Sequence, residues 1–137
     1  MGFLKNFVGE LAGKGGIYEA STAFTVNGIP NDIRAFVKQC TSEPCNGQKN
    51  DKERWLWYDA VKKGTIKNDT ANQMMFVYQI EWVINKMPCS FYIQGNFAGN
   101  NQTQINIKYR QYCYSNNDVQ KELDIIKEAI TDKYPQQ

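Results

Sequence analysis

The chain of 137 residues contains no histidine. That absence removes the side chain that titrates near neutral pH, the usual imidazole general base, every Ser-His or Cys-His nucleophile pair, and the commonest metal ligand. An excess of one charge is missing too. Sixteen basic and 14 acidic residues leave a formal net charge of +2, which gives no electrostatic case for duplex nucleic acid or an anionic membrane. No apolar run approaches the roughly 18 residues that a membrane-spanning helix requires. The opening MGFLKNFVGELAGKGG is too polar and too interrupted for a signal-peptide hydrophobic region, and Asn6 stands where myristoylation wants Ser or Thr. The chain reads as cytoplasmic, or as secreted or periplasmic only if a signal peptide has been removed.

Motifs for catalysis are scarce as well. GELAGKGG has the wrong spacing for a phosphate-cradling loop and follows a helical pattern instead of a strand. Four cysteines are too few for a disulfide scaffold, and they are not spaced as paired CxxC knuckles. No metal and no cofactor is therefore expected. The chain is expected not to be an enzyme; a carboxylate-dependent activity would have to draw on Glu19, Asp59 or Glu81. Two Asn-x-Thr sequons, at Asn68 and Asn101, matter only for a secreted protein.

What the sequence has is alternation. Hydrophobic residues make up 42% and charged residues 22% of the chain, the range of one globular domain, expected over residues 1–137. Between residues 74 and 114 three strands are expected in succession. The first places Phe76, Tyr78, Ile80, Trp82 and Ile84 on even numbers. The second and third use odd numbers: Cys89, Phe91, Ile93 and Phe97, then Ile105, Ile107, Tyr109 and Cys113. Side chains of a strand alternate faces, so a slip of one residue would turn this core outward. A four-residue connection at 85–88 pairs Trp82 with Phe91, and a three-residue connection at 100–102 pairs Phe97 with Ile105. The same register sets Cys89 opposite Cys113, as a disulfide or as packed thiols. Residues 72–87 also fit a helical stripe, but crowding by β-branched and aromatic residues favours strand.

Four helices are expected around this meander. Residues 2–12 carry an apolar stripe that glycines stop. Asn31 or Asp32 caps a helix with Ile33, Phe36, Val37 and Cys40 on one side. Asp51 begins a third, up to Gly64. Ser115 or Asn117 begins the last, with Val119, Leu123, Ile126 and Ile130 on its inner face and Pro135 beyond it. Residues 17–26 read as a fourth strand, 41–50 as a loop and 64–72 as a polar connector. The expected fold is α+β: a four-stranded, mostly antiparallel sheet with helices on one face, in the order α-β-α-α-β-β-β-α.

Two surfaces suggest binding. Trp55, Leu56, Trp57 and Tyr58 are consecutive, and no helix buries four such residues on one stripe, so Trp55, Trp57 and Tyr58 are candidate partner anchors. The polar face of the meander offers Tyr92, Lys108, Arg110 and Tyr112. With no catalytic set in view, the expected function is a small binding protein acting on another protein, such as an inhibitor, adaptor or immunity-type protein of a bacterium or phage. A single-stranded nucleic acid stacked on the sheet is the alternative.

Overall fold

The computed structural model describes residues 15–42 and 64–136. Five strands and two helices follow one another: β1 (Gly16–Asn27), α1 (Pro30–Ser42), β2 (Thr65–Ala71), β3 (Met75–Ile84), β4 (Met87–Gly99), β5 (Gln102–Cys113) and α2 (Asn116–Lys133). The strands form one sheet in the order β1-β5-β4-β3-β2, with every neighbouring pair antiparallel. This corrects the four-stranded expectation and its order: residues 65–71, expected as a connector, are a fifth strand. The helices expected over 2–12 and 51–64 lie outside the described residues.

β2 escaped detection because hydrophobic alternation does not make it. TIKNDTA is mostly polar and five of its seven residues are exposed, yet its edge position needs only one partner strand. Beyond its backbone ladder to β3, what ties it to the helix layer is charge. Asp69 faces α1, where Arg34 Nε and Nη2 each donate to its carboxylate at 2.8 Å and Lys38 Nζ donates at 2.7 Å. Partial burial pushes the Asp69 carboxyl up, but the bonds and charges of Lys38 and Arg34 outweigh it and hold the group below its ordinary value. At the end of β2, Asn72 Oδ1 accepts from the backbone N–H groups of Met74 and Met75, which turns the chain into β3.

The face parity of the meander agrees with the buried residues, but its register differs. Trp82 pairs with Cys89, Ile80 with Phe91 and Phe76 with Gly95, a shift of two from the expected partners. Ile93 pairs with Ile107 and Phe97 with Thr103, again a shift of two. The cause is turn length. Asn85-Lys86 and Asn100-Asn101 are two-residue turns with φ of 52°, 65°, 53° and 57°, the left-handed conformation of the tight hairpin turn that matches strand twist. Because the shift is even, the core face is unchanged. Cys113 is no longer opposite Cys89; it pairs with Gly16 of β1. Both are buried free thiols, as is Cys40.

Both described helices cover the same face. α1 begins at Pro30, one residue before the expected caps, and the Ile29 carbonyl accepts from Asp32 and Ile33; Pro fits this first position because its missing N–H has no helical partner there. Ile33, Val37 and Cys40 then enter the core over β3 and its neighbours. In α2 the Ser115 hydroxyl accepts from Asp118 N–H, closing the first turn. Val119, Leu123, Ile126, Ala129 and Ile130 are buried on β1 and β5, and each full-sized apolar side chain so buried contributes about 1.5–3 kcal/mol. Among the described residues no helix is long and apolar enough to cross a membrane.

Candidate functional site

Helices on one face leave the other face of the sheet to polar side chains, and the ladders arrange these in rows. Paired residues in an antiparallel sheet share a face. One row runs Glu19, Arg110, Ser90, Glu81, Thr65 across β1, β5, β4, β3 and β2. The next runs Ser21, Lys108, Tyr92, Gln79, Asn68, and a third runs Ala23, Asn106, Gln94, Val77, Thr70. Side chains from four of the strands wall a broad groove of about 970 Å³, with Glu19, Glu81, Lys108 and Arg110 among its lining residues and Tyr92 and Gln94 near its middle.

The groove is balanced in charge. Arg110 donates through Nε and Nη2 to Glu19 Oε2 at 3.2 and 3.0 Å, so one of its two cations is already met within the protein. Both partners are 44% exposed, and such a surface pair is worth at most about 1 kcal/mol. The amides are also pre-set. Tyr92 O–H donates to Gln94 Oε1 at 3.1 Å, Asn106 Nδ2 to Gln104 Oε1 at 3.1 Å, and Asn68 Nδ2 to Gln79 Oε1 at 2.8 Å. Each bond occupies an amide oxygen. The NH₂ groups of Gln79, Gln94 and Gln104 are therefore left as donors toward the groove side of the sheet.

Of the residues singled out from the sequence, Tyr92, Lys108 and Arg110 come together here with Glu19 and Glu81, the carboxylates named for an enzymatic alternative. Tyr112 is on the same face but at the end of β5, where Asn85 Nδ2 donates to its hydroxyl at 3.0 Å, and it does not line the groove. Trp55, Trp57, Tyr58 and Asp59 lie outside the described residues. Sequence reasoning named Glu19 only as a lone carboxylate and did not join β1 to the polar face of the meander, because Glu19 and Ser21 reach the groove only through the pairing of β1 with β5, across about 90 residues of chain. The signal for it was charge: Glu19 is the one acid of β1 and Arg110 the one arginine of β5. Among the described residues, no group of three or more Cys, Asp or Glu side chains is arranged to hold a metal ion.

No family model matches the chain, and no curated protein matches its sequence. Among solved structures, the Zhui aromatase/cyclase from Streptomyces sp. R1128 aligns over 86% of this chain and 86% of its own at 8% identity, with a TM-score of 0.25.

Proposed function

We propose that the protein is a small non-enzymatic binding module whose partner is another protein, docked in the groove on the open face of the sheet. An inhibitor, adaptor or immunity-type protein acts in this way. The observation that carries the reading is the charge balance of the groove, where Lys108 and Arg110 share the walls with Glu19 and Glu81. A surface of mixed sign selects its partner by complementarity, whereas a phosphate polymer rewards an uncompensated row of cations. Tyr92, half-buried between Lys108 and Gln79, adds an aromatic contact of low conformational cost. The free amide donors suit the backbone carbonyls of a partner chain.

The test is a photo-cross-linkable residue in place of Ser21, with a second version in place of the exposed Gln120 on α2 as control. A partner captured only from the Ser21 position is then purified and titrated. Tyr92→Ala and Lys108→Ala should each weaken binding about tenfold, or 1.4 kcal/mol, with the fold still cooperative. Equal affinity in both variants overturns the reading. Labelled single-stranded oligonucleotides at low salt are the parallel arm: binding that falls steeply with salt would transfer the groove to nucleic acid.

A further inference from the structure

The charges of the groove do not all cancel within the protein. Glu19 and Arg110 answer each other, whereas Lys108 and Glu81, which line the same groove, form no ion pair among the described residues. Their counter-charges have to come from outside. They stand on β5 and β3, with Tyr92 of β4 between the two strands. Two strand spacings across the sheet and one two-residue step along it put their backbones roughly 12 Å apart.

Beyond the row of Glu19, Arg110, Ser90 and Glu81 the open face turns apolar. Ile17 pairs with Tyr112 and Val83 with Pro88, and Val83 is 58% exposed. An exposed apolar side chain beside an unanswered carboxylate suits a lysine or arginine of the partner, whose stem covers apolar surface while its head stays with the charge. On the amide side, Gln79 and Gln94 have their oxygens bonded and their NH₂ groups left to give. Such donors need free carbonyl oxygens. A helix bonds its carbonyls to itself, whereas an extended chain still presents them. Four residues of extended chain cover roughly 13 Å and return to the same face, close to the span from Glu81 to Lys108.

We propose that the partner enters the groove as an extended segment with a basic residue over Glu81, an acidic residue four positions away over Lys108, and an apolar residue beside the basic one on Val83 and Pro88. The inference rests on the reading of the groove as a protein-docking site and adds the charge code that selects the segment. Glu81 and Lys108 are then its specificity residues, because a segment with its charges exchanged sets like against like at both ends.

The peptide acetyl-Phe-Thr-Arg-Thr-Ser-Thr-Glu-amide and the same sequence reversed cover the two chain directions, and versions with Arg and Glu exchanged are the controls. Each is titrated into the isotope-labelled full chain at low salt. One of the first two should give saturable shifts at the Tyr92 backbone N–H and at the side-chain NH₂ groups of Gln79 and Gln94, and its control should bind about tenfold more weakly or worse. Glu81→Lys combined with Lys108→Glu should invert that preference with the unfolding midpoint little changed, a result that loss of the fold cannot mimic. No saturable shift with either peptide up to tens of millimolar, or a preference that the double variant leaves as it was, overturns the proposal. The docking reading is judged separately by the Ser21 cross-link: a partner captured there whose affinity ignores the double variant overturns the charge code alone, and no capture there overturns both.

Discussion

Replacing Asp69 with asparagine keeps the shape of the side chain and removes the charge that ties β2 to α1. Three short bonds are affected, two from Arg34 and one from Lys38. A bidentate arginine pair reinforced by a second cation exceeds an ordinary surface pair, but Arg34 and Lys38 remain 25% and 37% exposed, so solvent screens part of the gain. The expected loss is about 1–2 kcal/mol, or roughly 5 °C for a domain of this size. Urea unfolding at neutral pH measures it. The acid limb gives a second check. The folded Asp69 titrates below the ordinary aspartate value of 3.8, so its contribution is complete above 3.8 and fades as the pH falls through the lower folded value. The gap between wild type and variant should close there. Hydrogen exchange should show the loss concentrated in β2. A difference under about 0.3 kcal/mol at neutral pH, or a gap that persists in strong acid, refutes the reasoning.

Gly95 should reject a methyl group. A Cβ there would lie 2.2 Å from Cε1 of Phe76 and 2.9 Å from Cγ2 of Thr103, both fully buried. Gly95→Ala should therefore cost about 2 kcal/mol by overpacking, despite the better strand propensity of alanine, as chemical denaturation would show. Lys86, at φ 65°, should accept glycine with a gain of about 0.5–1 kcal/mol, since a lysine is strained in the left-handed region; a lower thermal midpoint would contradict this. Ser115→Ala should lose about 1 kcal/mol through the unmet N–H of Asp118, and a smaller helical signal at elevated temperature would report it.

The faces of β3, β4 and β5 were legible because burial on one side of a strand writes a period of two. Turn length was not, because the tight hairpin signal is strongest in Asn-Gly and here reads Asn-Lys and Asn-Asn. The register therefore slipped by two at each turn while every side chain kept its face. β2 was illegible for another reason. Its hold on the helix layer is the Arg34–Asp69–Lys38 triad, and a single long-range ion cluster leaves no periodic trace. The open-face residues of β4 and β5 could be listed from parity alone, whereas Glu19 needed the adjacency of β1 and β5, which no local pattern encodes. Gln111 was assigned to neither face; it is buried among β5 residues of core parity, a polar exception that its neighbours on the strand do not announce.

The position of β1 orders the fold in time. Among the described residues its only strand partner is β5, and Glu19 meets Arg110 across 91 residues, whereas β3, β4 and β5 are joined by turns of two. Loop closure makes the nearby pairs form first. During synthesis at about 5–20 residues per second, β1 would wait roughly 5–20 s for the strand that completes it. Through that interval it is an unpaired edge of 12 residues, GIYEASTAFTVN, rich enough in β-formers to seek another chain. Glu19 is its one charge. The carboxylate that later clasps Arg110 is thus also the gatekeeper that keeps an early strand from a wrong partner, and neutralising it should tell first in the yield of soluble protein, before it tells in the stability of what has folded.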